Sequence, residues 1–192
     1  TLSGGGSDGA YGAGLLVGWT EHGDRPQFDF VTGISTGAMM APLAFLGSKY
    51  DAQLKESYTT LSTEDVATPL VFAAVIGAAD SLADTKPLQG LVAKYMTAEM
   101  MKEIAAEHHK GRVLMIGTTN LDAQRSVIWD IGAIAASGHP GSLALIRKII
   151  LASAAIPGAF PPVDISVTAD GKQFQEMHVD GGVTRQVFLY PP

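Results

Sequence analysis

Ser35 lies in the stretch 28–40, FDFVTGISTGAMM, where an apolar, β-prone run breaks into Gly33-Ile34-Ser35-Thr36-Gly37 and then into helix-forming alanine and methionine. A G-x-S-x-G pentapeptide sets its serine on a tight strand-to-helix turn, exposed at a sheet edge above a helix N-terminus. Glycines two before and two after remove the Cβ atoms that would collide there. The chemistry on offer is nucleophilic attack by a hydroxyl. A small-residue turn can also carry a serine with no chemical role, so the pentapeptide needs a base for the hydroxyl proton and a stabiliser for negative charge.

A second glycine cluster opens the chain, TLSGGGSDGAYGAG at 1–14. Gly4, Gly5 and Gly6 leave backbone N–H groups bare and able to converge on an anion at a helix N-terminus. Three readings compete. The loop is a tight turn with no ligand, or a dinucleotide loop, because Gly4-x-Gly6-x-x-Gly9 fits G-x-G-x-x-G with Asp29 about 20 residues on, or an oxyanion hole. Asp29 separates the last two. A ribose-binding acid belongs at the C-terminal end of the second strand, whereas Asp29 falls near the start of the expected strand 28–32, with Ser35 just beyond its end. In an open α/β sheet both loops emerge at the carboxyl ends of their strands, which puts the glycine amides and Ser35 on one edge.

The usual base for a serine is histidine. In an α/β-hydrolase the order is Ser, then Asp or Glu, then His, and no histidine follows Asp180 here. His22, His108, His109, His139 and His178 fall on expected helix ends, loops or a strand, and read as surface or satisfied structural residues. Asp180 is the better candidate. In HVDGG the acid leaves a strand and turns sharply into Gly181 and Gly182, which holds the carboxylate at a sheet edge with little crowding. Asp-Gly is also a common structural turn. An ordinary aspartate, with a pKa of about 3.9, is a weak base, so a direct Ser-Asp pair needs a desolvated, apolar pocket.

Gly4-Gly5-Gly6-Ser7-Asp8-Gly9, Gly33-Ile34-Ser35-Thr36-Gly37 and Asp180-Gly181-Gly182 thus stand in a fixed order, and together they resemble the patatin-like phospholipase family. The likeness covers nearly the whole chain, including SAAIPGAFPPV at 153–163, which is similar to the family's segment before its final strands. The resemblance implies an α/β sheet flanked by helices, a Ser-Asp dyad without histidine, and hydrolysis of lipid acyl esters with no metal or cofactor. Residue by residue, Ser35 takes the nucleophile's place and Asp180 the base's. Gly5 and Gly6, with the amide of Ser7, take the oxyanion hole's, and Gly4, Gly9, Gly33, Gly37, Gly181 and Gly182 are the structural glycines of the motifs.

One departure bears on the electrostatics. Many relatives carry Arg or Lys two positions after the third glycine, where this chain has Asp8. A carboxylate aimed at the oxyanion would oppose the charge being stabilised, so Asp8 is expected to turn away and cap the helix starting near Gly9. Two rivals come from other classes. One is a catalytically silent member that binds lipid in an apolar cleft, and the other is a nucleotide- or phosphate-binding domain using the glycine loop, which lacks a Walker lysine-serine pair.

The elements that must carry these groups alternate along the chain, and the expected fold is α/β: a single domain over 1–192 with a central, mostly parallel sheet flanked by helices in three layers. Helices are expected at 10–22, with Leu15, Leu16 and Trp19 buried, at 36–46, with Pro42 in the first turns, and at 51–61, 97–110 and 141–155. Strands are expected at 112–120 and 126–131, and a hairpin of 163–168 and 172–179 around Asp170-Gly171. The run 66–82 reads as a core helix or as an apolar lip that meets lipid, too short and interrupted to span a bilayer. A chain that opens at Thr1 inside a motif is expected to be a domain excised from a longer chain at both ends.

Composition narrows the partners. A formal charge of −6 gives no footprint for nucleic acid, and contact with a membrane surface would have to be apolar. The absence of cysteine removes thiol nucleophiles, disulfides and thiolate metal sites. The family resemblance implies a lipid ester as the partner, with a membrane surface as one place to meet it.

Overall fold

The computed structural model describes residues 1–59 and 85–189. The run 66–82 and the end of the expected helix 51–61 lie outside the described residues. Among those described, the helices are α1 (Gly9–His22), α2 (Thr36–Leu46), α3 (Asp51–Thr59), α4 (Lys86–Tyr95), α5 (Ala98–His109), α6 (Ile131–Ala136) and α7 (Ser142–Ser153). The strands are β1 (Phe30–Gly33), β2 (Val113–Asn120), β3 (Arg125–Asp130), β4 (Val163–Ala169) and β5 (Lys172–Asp180).

β2 organises the sheet because it has neighbours along both edges. β1 runs parallel to it, from Phe30↔Val113 to Gly33↔Ile116, and β3 runs antiparallel over Met115 to Asn120. β5 is antiparallel over Thr118↔Asp180 to Asn120↔His178. Since β3 overlaps the registers of both β1 and β5, it must hold one edge of β2 while β1 and β5 share the other. On that shared edge β1 stops opposite Ile116 and β5 stops opposite Thr118, so the two strands meet carboxyl end to carboxyl end with Gly117 at the gap. Beyond β1, Leu2 forms a parallel bridge to Gly33, donating to Thr32 O at 2.8 Å. Beyond β5 lies β4, joined to it by the expected hairpin, whose turn residues Asp170 and Gly171 both have positive φ, 50° and 73°. The α/β class is as expected. The sheet is mixed, with its parallel pairing confined to the elbow end and antiparallel pairing beyond it.

Val31, Leu114 and Ile116 enter the main apolar cluster with Met40, Leu43 and Phe45 of α2, Ile104 of α5, Ile131 of α6 and Ile146, Ile149 and Ile150 of α7. The opposite face carries a smaller cluster of Ile34, Met115 and Phe188. Thr97 caps α5 by accepting from the Met100 amide at 3.1 Å. Its Met100 and Ile104 are buried, the apolar stripe the spacing predicts. Pro42 falls past the first turn of α2 and is buried in the helix.

Helix α1 departs from expectation. Leu16 is buried, but Leu15 is 57% exposed and Trp19 38%. The buried residues of α1 are Gly9, Ala13 and Leu16, so small residues carry most of the face that packs. A Cβ on Gly9 would strike Tyr58 and Thr36, and one on Gly12 would touch Met40. Hydrophobicity assigned the buried face to the large side chains, whereas close approach of α1 to α2 and α3 demands the small ones.

Candidate active site

β1 ends at Gly33, and the chain must reverse into α2 within two residues. Ser35 sits at the N-terminus of α2 with φ 57° and ψ −126°, a backbone conformation that costs a non-glycine residue about 1–3 kcal/mol and persists only where its surroundings enforce it. The enforcement is steric. A Cβ on Gly33 would lie 2.7 Å from the Gly37 carbonyl carbon, and one on Gly37 would lie 2.6 Å from that of Leu2 and 2.7 Å from Ser3 O. Backbone thus packs on backbone at both flanking positions. Ser35 is 6% exposed. As the residue preceding α2 it has the helix's first-turn amides behind it, whose dipole favours negative charge.

The glycine loop lies beside it. A Cβ on Gly4 would come 3.1 Å from Ser35 Cβ and 3.8 Å from its Oγ. Gly5 and Gly6 have φ of 156° and 55°, values that L side chains rarely adopt. A 3₁₀ turn over Gly6–Asp8 then leads into α1. The Asp8 amide donates to Gly5 O at 3.0 Å, whereas the amides of Gly5, Gly6 and Ser7 find no acceptor among the described residues. Asp8 does not cap α1. It has helical angles, φ −67° and ψ −12°, and its side chain makes no capping hydrogen bond. A cap needs extended angles to swing its oxygen back over the first turn, and the 3₁₀ turn running straight into α1 denies them.

Asp180 ends β5 and is 5% exposed. Its carboxylate accepts from the Gly182 amide at 2.7 Å, and its own amide donates to Ala155 O at 2.9 Å. Burial pushes its pKa above the usual carboxylate range, while hydrogen bonding from the Ser35 hydroxyl and the Gly182 amide pulls the other way. Gly181 has to be glycine for the junction to close, since a Cβ there would lie 3.0 Å from the Gly117 carbonyl carbon and 3.1 Å from Ile34 Cγ2. One on Gly182 would come 3.0 Å from Asp180 Oδ1.

The end-to-end meeting of β1 and β5 therefore brings Ser35 and Asp180 together at the gap on β2. Asp29 lies at the other end of β1, its carbonyl accepting from the Val113 amide at 2.8 Å, remote from the glycine loop. His178 is fully buried, with Nδ1 2.9 Å from Thr118 Oγ1 and Nε2 3.2 Å from Glu176, a satisfied histidine.

Three further residues shape the site and carry no role in the sequence reading. Ser153 bridges Ser35 to Gly117: its Oγ accepts from the Ser35 amide at 3.0 Å and donates to Gly117 O at 2.6 Å. Gly117 itself has a legible signal, a glycine inside an apolar strand, which marks a close backbone approach. Tyr58 anchors the first turn of α2 by donating to Thr36 O at 2.9 Å, with Thr36 Oγ1 also 2.9 Å away.

Ser35 on its strained elbow thus stands beside a buried carboxylate at one edge of the α/β sheet. The family model of patatin-like phospholipases matches residues 1–191, and the chain belongs to that family. Among solved structures it is similar to VipD from Legionella pneumophila, with a TM-score of 0.54 at 14% identity, over 98% of this chain and 46% of VipD. The likeness is one of fold, and the chain spans about half the length of that protein. No curated protein sequence matches it.

Proposed function

We propose that residues 1–192 act as one lipid acyl hydrolase domain, cleaving carboxylic esters with a Ser35–Asp180 dyad and no metal or cofactor. The observation that carries the reading is the contact of the Ser35 hydroxyl with a buried Asp180 whose pKa is raised by desolvation. A raised pKa makes the carboxylate a better base, and the elbow removes the freedom of the nucleophile.

In the first half-reaction Asp180 takes the Ser35 proton as Oγ bonds to the ester carbonyl carbon and the carbonyl π pair moves onto oxygen. The amides of Gly5, Gly6 and Ser7 hold that oxyanion. Collapse expels the alcohol, which leaves with the proton from Asp180. Water then attacks the acyl-serine, giving its proton to Asp180. The second collapse releases the carboxylic acid and returns the proton to Ser35.

The surroundings of Ser35 are apolar enough to favour a lipid substrate. One turn along α2, Met39 and Leu43 line a narrow apolar crevice of about 30 Å³ with Leu91, Val92, Met96 and Ile150, which must widen to take an acyl chain. Val183, Val187 and Leu189, which follow Asp180, are exposed, and they offer the apolar contact that a chain of net charge −6 needs at a membrane surface. No helix among the described residues is long and apolar enough to cross a membrane.

The test is fluorophosphonate labelling with peptide mapping, followed by turnover on ester and phospholipid series of graded chain length. Label on Ser35, lost in Ser35→Ala, is expected, together with a fall in turnover of about 10² to 10⁴ in Asp180→Asn. No label on the folded protein would favour a silent lipid-binding member, and near-normal turnover of Asp180→Asn would move the base to a histidine.

A further inference from the structure

Where β1 and β5 meet on the edge of β2, the ladder is interrupted. β1 pairs as far as Ile116 and β5 from Thr118 onward, which leaves the Gly117 carbonyl and the Ser35 amide without strand partners. Buried backbone groups of this kind must find a partner. Both find the same one. Ser153 Oγ, fully buried at the end of α7, accepts from Ser35 N at 3.0 Å and donates to Gly117 O at 2.6 Å. Two residues on, Ala155 O accepts from the Asp180 amide at 2.9 Å. The corner 153–155 therefore holds the backbone of Ser35 through a side chain and that of Asp180 through a main-chain carbonyl.

We propose that Ser153 is a positioning residue for the reaction, its hydroxyl standing in for the missing ladder bond and fixing the Ser35 amide, and with it the hydroxyl, against Asp180. This rests on the reading of Ser35 as the nucleophile. The physical case is the conformation of Ser35. With φ 57° and ψ −126° it is held away from its preferred backbone wells, and the Ser153 bond is the hydrogen bond that fixes its amide there. Removing the Ser153 hydroxyl frees the amide to relax toward an ordinary turn. A displacement of the nucleophile by about 1 Å costs on the order of 10²-fold in rate. Ser153 touches neither substrate nor the reacting atoms in this account, and acts through Ser35.

The experiment compares the wild type, Ser153→Ala, Ser153→Cys and Ser142→Ala by the rate and end point of fluorophosphonate labelling, with kcat and KM on a soluble ester. Ser142 is a useful control because it is buried at the other end of the same helix, with its Oγ 2.9 Å from Ser137 Oγ. The rate constant per labelled site reports positioning, while the end point reports the folded fraction. Ser153→Ala is expected to label at least about tenfold more slowly, up to the 10²-fold scale of a misplaced nucleophile, with kcat falling in parallel and KM little changed. Ser153→Cys, which keeps a weak donor and acceptor, is expected to fall between, and Ser142→Ala to label at the wild-type rate. Wild-type rate constants in both Ser153 variants, whatever their end points, would overturn the proposal. An unlabelled wild type would instead overturn the reading of Ser35.

Discussion

The ends of β1 and β5 bring their polar side chains to one place by different physical means. At the end of β1 the constraint is volume. Gly33 and Gly37 let backbone pack on backbone, and Ser35 is left in a conformation no serine prefers. At the end of β5 the constraint is charge. Asp180 has unremarkable angles, φ −47° and ψ 130°, and its cost is the desolvation of a carboxylate that few hydrogen bonds repay. The Ser35 end should therefore answer to added atoms and the Asp180 end to protons, and a variant at one end should leave the other's signature intact.

The largest test of that contrast is Gly37→Ala. Its Cβ would meet the backbone of Leu2 and Ser3, neither of which can swing aside like a side chain. A loss beyond about 3 kcal/mol in denaturant unfolding is expected, and a loss under about 1 kcal/mol would mean the elbow is not held by volume. Next comes Ser35→Gly against Ser35→Ala, two variants without the hydroxyl that differ only in tolerance of positive φ. The glycine variant should be the more stable by about 1 kcal/mol, and equal stabilities would remove the strain from the account.

The carboxylate end is probed by Asp180→Asn across pH. A folded-state pKa raised above the ordinary value means that protonation favours the fold. Asp180's contribution is thus fully present below the usual aspartate range and is lost as pH rises through the raised value. The asparagine variant should therefore have the higher Tm at neutral pH, with the advantage vanishing in acid. A Tm difference that does not vary with pH would show that desolvation of the carboxylate is not what sets this end apart. In the wild type, the acid limb of kcat/KM should sit above the usual carboxylate range for the same reason. The smallest effect is expected far from both ends. Leu15→Gln on the exposed face of α1 should change stability by no more than about 0.5 kcal/mol, and a larger loss would return the buried face of α1 to its large side chains.

The sequence by itself determined the local pieces: the turn chemistry of Gly33 to Gly37, the Asp170-Gly171 hairpin, the striped helix α5, and the alternation that makes the chain α/β. These are short-range consequences of periodicity, glycine and turn geometry, written within a few residues of where they act. It also singled out Ser35, the glycine loop and Asp180, because each lies in a short motif whose residue types and spacing are legible without their neighbours in space. What only the tertiary structure decided is how these pieces meet. Parallel β1 and antiparallel β5 share one edge of β2 and end against each other, a register that no local pattern encodes. The choice of α1's small face, the failure of Asp8 to cap, and the bridging hydroxyl of Ser153 follow from that packing. The reason is that a backbone group left unpaired at a strand junction takes whatever partner the fold brings within reach, and that partner lies 118 residues away from Ser35 in the chain.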